Sequence, residues 1–296
     1  MTYFITQFIN GLQIGAIYAL IALGYTMVYG IIKLINFAHG DLMMVGAYIA
    51  FFALSDWGLP IYLAAAVSMV GTAILGVVID RIAYKPLRDA SRLSALITAI
   101  AVSLLLQNAC MLLFSSSPRR FPTVTANLPT ISIGNSTVNV IVFISIALAV
   151  ALMMILNLFV NKTRIGKAML AVSEDMRAAQ LMGINVDFIV SLTFAIGSAL
   201  AAFAAILYLF SYPQIEPYMG AMPGIKAFIA AVLGGIGIIP GAMVGGFLLG
   251  IIESMAKAYI PSAFSQITDA VVFLVLILVL LIKPSGLMGK PEKVKV

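Results

Sequence analysis

Charge is what this sequence has least of: Asp, Glu, Lys and Arg make up 9% of its 296 residues, against about 25% in ordinary soluble domains. Hydrophobic residues fill 62% of positions, more apolar surface than a water-soluble fold could cover. Cysteine occurs once, at Cys110, which excludes an intrachain disulfide framework and a cysteine metal cluster. Histidine also occurs once, at His39 beside Asp41, short of the three or four convergent ligands a metal site needs. The phosphate-cradling Gly-x-x-x-x-Gly-Lys-Ser/Thr loop is missing, so ATP hydrolysis is not expected of this chain. A membrane-embedded enzyme is disfavoured because no nucleophile with a base and no suitably spaced carboxylate pair is readable. Met1 to Gln13 contain no Lys or Arg, and the apolar run continues without a small-residue cleavage site, unlike a cleavable signal peptide.

What is present is a series of long uncharged windows. About 20 helical residues cross a hydrocarbon layer about 30 Å thick. The sequence predicts an all-α polytopic bundle of about nine crossings: Phe8 to Tyr29, Leu42 to Leu54, Ile61 to Ile79, Leu93 to Phe114, Val140 to Val160, Phe188 to Phe210, Ala227 to Ile239, Gly241 to Tyr259 and Ile267 to Ile282. The prolines fall at or beyond the edges of these segments, as uninterrupted helices require. The net charge of +6 is explained by basic residues holding loops in the cytoplasm rather than by a nucleic-acid partner. With the N-terminus outside, the inner loops hold Lys33, the Arg81 to Arg92 group, the Lys162 to Arg177 group and Lys283 to Lys295, leaving Arg119, Arg120, Lys226 and Lys257 outside. The positive-inside bias therefore gives N-out, C-in, with 1–296 read as one transmembrane domain and 283–296 as a basic cytoplasmic tail.

The second and seventh segments are too short to span without help. The second is entered through Asn36-Phe37-Ala38-His39-Gly40-Asp41, and the seventh carries Gly234-Gly235-Ile236-Gly237 before Pro240. Irregular backbone at membrane depth survives only against protein or a water-filled path. Their matching places predict two inverted repeats of four segments with the fifth between them, and a pathway near Asn36, His39, Gly40, Asp41, Gly234, Gly235 and Gly237. Small residues recur every fourth position at Gly11, Gly15 and Ala19 and at Ala242, Gly246 and Gly250, a spacing that permits close helix approach and is also common by chance.

Polar residues inside the spans each have two readings. His39 could touch a solute or relay protons; the favoured role is structural, with Asn36, His39 and Asp41 capping the short second span. Glu253 and Lys257 stand four apart and are read as a local helical pair near the outer surface. Asp269 is read as a first-turn acid. Gln107 and Asn108 are expected to hydrogen-bond between helices or to line a pore.

The inner connection 161–187 contains a predicted short amphipathic helix, with Ser173 as N-cap, Glu174 and Asp175 at the positive dipole end, and Gly183 ending it. Val172, Met176, Ala179 and Met182 share one face. A helix lying on the headgroups would have the same pattern.

Gly15-Ala-Ile-Tyr-Ala-Leu-Ile-Ala-Leu-Gly24, then Asn36-Phe-Ala-His-Gly-Asp-Leu-Met-Met-Val-Gly-Ala-Tyr48, Thr163-Arg-Ile-Gly-Lys167 and Ala231-Val-Leu-Gly-Gly-Ile-Gly-Ile-Ile-Pro-Gly-Ala-Met-Val-Gly-Gly246 closely resemble the LivH-type permeases of branched-chain amino acid ABC importers. The resemblance covers nearly the whole chain. It implies a bacterial inner-membrane permease with a LivM-type partner, two cytoplasmic ATPases that bind ATP and Mg²⁺, and a periplasmic or lipid-tethered binding protein. No cofactor is implied on this chain. Urea and short-amide permeases look similar, so the solute stays open, and a stand-alone ion-coupled carrier is the alternative of another class. The segment Arg177-Ala178-Ala179-Gln180-Leu181-Met182-Gly183 resembles the ABC importer coupling loop, Glu-Ala-Ala, three residues, Gly, with Arg177 in the place of Glu. That departure puts any particular salt bridge to an ATPase in doubt.

Overall fold

The computed structural model describes residues 2–88, 90–122, 129–133, 136–261, 264 and 267–289. Lys290, Lys293 and Lys295 of the expected basic tail lie outside the described residues. The chain folds as α1 (Thr2–Ile32), α2 (His39–Ser55), α3 (Ile61–Ile79), α4 (Arg92–Phe114), α5 (Val140–Lys162), α6 (Arg164–Glu174), α7 (Met176–Leu181), α8 (Val186–Ser211), α9 (Ala221–Gly234), α10 (Ile239–Tyr259) and α11 (Ile267–Ile282). α3 continues through a π-helical turn, Asp80–Tyr84, and a 3₁₀ turn, Lys85–Leu87. Two short antiparallel ribbons, which the apolar pattern did not announce, join the helices: β1 (Arg119–Arg120) with β4 (Gln214–Ile215), and β2 (Thr130–Ile133) with β3 (Ser136–Asn139).

Local chemistry sets several helix starts. Ser91, Asn139, Thr163 and Asn185 each accept a hydrogen bond from a first-turn backbone N–H of α4, α5, α6 and α8, satisfying donors that a helix end otherwise leaves open. The prolines agree with this logic after a shift of boundaries. α9 begins six residues earlier than expected and ends at Gly234, so Pro223 sits in its first turn and Pro240 in the first turn of α10. Proline is tolerated there because those N–H groups have no helical acceptor.

Among the described residues six helices are long and apolar enough to cross a membrane, and α2, α9 and α11 are shorter apolar helices. α1 and α8 form the centre: 83% and 72% of their apolar windows are buried, against 17% for α4. A helix that is apolar all round belongs inside a bundle, and the apolar flanks of α3, α4 and α5 are left for lipid. The small-residue stripes meet where α1 crosses α10. A Cβ on Gly246 would lie 2.4 Å from Ala19 Cα, and one on Gly15 2.7 Å from Phe247 Cα. Here the spacing reflects backbone approach rather than chance. α1 packs on α10 and α9, and α3 and α2 pack on α8.

Candidate functional site

α2 and α9 begin against each other inside the bundle. His39, the first residue of α2, lies against Gly24 in the last third of α1 and Gly197 near the middle of α8. The first turn of α9 arrives at the same level: a Cβ on Gly40 would be 2.5 Å from the Gly220 carbonyl oxygen and 3.0 Å from Gly224 Cα. The Tyr25 ring of α1 meets both sides, 4.7 Å from the His39 ring and 5.8 Å from that of Phe228 in α9. From this meeting point the helices diverge. α2 runs toward Phe114 and Arg119, which its Phe52 contacts. α9 runs to the opposite end, where the segment after α11 closes over it: Leu287 N donates to Leu233 O at 2.8 Å and Met288 N to Gly234 O at 3.0 Å.

Asn36, His39 and Asp41 do not cap α2, whose N-cap is Ala38 with no side-chain hydrogen bond. Each side chain turns instead to a different neighbour. Asn36 Oδ1 accepts from Tyr84 Oη at 2.8 Å, fastening the entry loop to the π-helical turn after α3. His39 is 1% exposed and its Nε2 has no partner among the described residues. Asp41 Oδ1 accepts from Gln107 Nε2 of α4 at 2.9 Å. Gln107 thus bonds between helices as expected, whereas Asn108 donates to Leu104 O of its own helix.

Gly40, Asp41, Gln107, Gly220 and Phe228 border a cavity of about 260 Å³ between α1, α2, α4 and α9. The glycines at the other end of α9 lie elsewhere. Gly235 and Gly237 hold φ of +111° and +88°, which turns the chain from α9 into α10 at low steric cost. Gly237 and Glu174 border a second cavity, of about 310 Å³, with Thr26, Lys33 and Met169. The predicted pathway residues therefore divide between two spaces, and Asn36, His39, Gly234 and Gly235 border neither.

A buried ionic network, only partly readable in sequence, ties four helices. Glu253 of α10 is 1% exposed and receives Lys226 Nζ of α9 at 2.8 Å, Lys257 Nζ at 2.6 Å and the Tyr18 hydroxyl of α1 at 2.8 Å. Lys226 also reaches Asp269 in the first turn of α11 at 2.8 Å. The i, i+4 pair was legible. Its extension to Lys226, Asp269 and Tyr18 corrects the reading of a local surface pair, because only tertiary packing brings those residues together.

The connection between α5 and α8 is two helices, not one. Ser173 donates to Leu170 O within α6, and Glu174 is the last residue of α6. Asp175 is the N-cap of α7, accepting from Arg177 N at 2.8 Å and Ala178 N at 3.0 Å. Asp outranks the expected Ser173 because its carboxylate also answers the dipole of the new helix. Gly183, at φ +81°, ends α7 as predicted. Gly183 N donates to Gln180 O and Ile184 N to Ala179 O, the paired bonds of a Schellman closure. Ala179 is buried, but Leu181 and Met182 are 89% and 83% exposed, so Met182 leaves the face assigned to it. Beside this element Arg88 bridges Asp80 and Asp187 at 2.9 and 2.6 Å, Lys85 adds 2.7 Å to Asp187, and Ser191 donates to Asp80 at 2.6 Å. These contacts rivet the end of α3 to the start of α8.

The family model for the branched-chain amino acid transport system / permease component matches residues 7–280. The chain belongs to this family. The high-affinity branched-chain amino acid transport system permease protein BraD of Pseudomonas aeruginosa is 47% identical over 99% of this chain and 98% of that protein. The permease protein LivH of Escherichia coli K12 is 44% identical over the same shares, and a probable LivH of Methanocaldococcus jannaschii is 33% identical over 91% of this chain and 88% of its own length. In the structure of PsaBC from Streptococcus pneumoniae in complex with Fab, a chain aligns at a TM-score of 0.50 with 14% identity, covering 93% of this permease and 91% of that chain. That likeness concerns fold alone. As a member of this family the chain is a multi-pass membrane protein and a component of a transport system. Among its described residues no group of three His, Cys, Asp or Glu side chains could hold a metal ion.

Proposed function

We propose that this permease is one pore subunit of an ATP-driven importer that carries leucine, isoleucine and valine into the cytoplasm by alternating access. The observation that carries the reading is similarity along essentially the full length to relatives named as high-affinity branched-chain amino acid permeases. A LivM-type permease would complete the pore, a periplasmic or lipid-anchored protein would deliver the solute, and two ATPases holding ATP and Mg²⁺ would drive it.

The architecture supports nine crossings in two inverted repeats, α1–α4 and α8–α11, around α5. Exchanging the repeats turns the α1–α10 contact into α8–α3 and the α1–α9 contact into α8–α2, and all four exist. The short helices α2 and α9 then each complete a crossing with a non-helical partner segment, 33–38 and 212–220. Broken helices paired in this way mark translocation routes in other carriers. The distribution of basic residues among the loops supports an N-terminus outside and a C-terminus inside the bacterial inner membrane.

The connection 161–187 is the coupling element of this single permease unit. Asp175 caps α7 while Glu174 closes α6, Arg177, Ala178 and Ala179 form the α7 body, and Gly183 closes it. Leu181 and Met182 project as an apolar knob suited to a groove on a motor subunit. Reconstitution with all partner subunits tests the whole: uptake of labelled leucine should require ATP, ignore ionophores and be competed by isoleucine and valine rather than by urea or acetamide. Uptake without ATP, or its collapse with the ion gradient, would overturn the reading.

A further inference from the structure

Among the described residues the buried carboxylates come with cations, except one. Asp80 has Arg88, and Glu253 has Lys226 and Lys257. Asp41, 2% exposed, has no Lys or Arg within 4 Å among the described residues. Its neighbours are neutral: Gln107 donates to it and the Ser103 hydroxyl lies against it. The α2 dipole offsets part of the charge, about half an elementary charge at most. A buried charge normally has a countercharge or is neutralised, and this one borders the cavity where α2 and α9 begin.

We infer that this cavity is a station for the translocated amino acid, in which the Asp41 carboxylate receives the α-ammonium group. The aliphatic side chain of the solute lies on Leu104, Ile225 and Phe228, and the solute carboxylate faces the first turn of α9 at Ala221, the positive end of that helix. The inference rests on the importer reading and adds to it a site within the permease that reads the ammonium group. Urea and amides, which have no ammonium, would be rejected here as well as at the delivering protein.

The test uses the complete complex in vesicles and labelled leucine. Asp41→Asn removes the charge but keeps an acceptor for Gln107, whereas Gln107→Leu removes that hydrogen bond and keeps the charge. A solute contact predicts that Asp41→Asn lowers uptake about tenfold or more, the loss of one charge-assisted bond. It predicts a smaller loss for Gln107→Leu and partial recovery with Asp41→Glu, all in complexes of normal size-exclusion profile. A purely structural Asp41–Gln107 bond predicts the reverse order. That order, or an Asp41→Asn complex that fails to assemble because a neighbouring subunit supplies the cation, would overturn the inference. If the wild-type complex itself moves no amino acid, the importer reading fails instead.

Discussion

Lys226 Nζ and Glu253 Oε1 stand 2.8 Å apart with both side chains withdrawn from the surface, joining α9 to α10. Removing one member of such a pair leaves an uncompensated charge, which costs far more than the intact pair contributes. Glu253 is the hub, since Lys226, Lys257 and Tyr18 all converge on it. Glu253→Ala should destabilise the purified protein by about 3–5 kcal/mol, whereas Asp269→Ala, whose carboxylate is 41% exposed, should cost about 1 kcal/mol or less. Thermal melting in detergent compares the two, and equal losses would refute the hub.

The α1–α10 seam makes a second comparison. Gly246→Val places new atoms into Ala19 backbone and should cost about 3 kcal/mol, the upper part of the overpacking range. Gly71→Ala meets only the flexible end of Ile49 at 3.1 Å and should cost well under about 1 kcal/mol. The same melting experiment reads both.

At Gly183 a side chain would meet no atom within 4 Å, so only the φ of +81° is at issue. Gly183→Val strains the α7 end by about 1–2 kcal/mol, with Asn tolerated better. Solute-stimulated ATPase activity of the complex should fall sharply for Val and modestly for Asn, with melting of the bundle unchanged.

Arg88→Met should strand the fully buried Asp80 and cost about 3–5 kcal/mol. Lys85→Ala, an exposed pair with Asp187, should cost about 1 kcal/mol or less. Faster hydrogen exchange where α3 meets α8 should accompany the first substitution alone.

Much of the bundle was legible, since uncharged windows become helices and Gly183 ends α7, whereas the spacing at Gly15 and Gly246 permitted close approach without saying that the two stripes meet each other. Less of the candidate site could be read. Asn36, His39 and Asp41 were assigned to capping because local acceptors near a helix start usually cap. In the structure Asn36 and Asp41 answer partners 48 and 66 residues away, Tyr84 and Gln107, while His39 packs on Tyr25 with no partner for its Nε2 among the described residues; no local pattern encodes those pairings. α9 begins six residues before the uncharged window because Pro223 is tolerated in a first turn and the charge of Lys226 is answered by Glu253 and Asp269. Asp80 carried a usable signal, a lone acid closing an apolar helix, whereas Lys226 was visible only as an outer-loop charge.

Under the proposed function, a motor subunit takes hold at the exposed end of α7. Leu181→Cys in a Cys110→Ser background, assembled with all partner subunits, tests this by thiol crosslinking alongside labelling of intact cells with an impermeant reagent. The prediction is a crosslink from position 181 to an ATPase subunit and no labelling from outside. Labelling from the exterior, or a crosslink only to the solute-delivering protein, would contradict it.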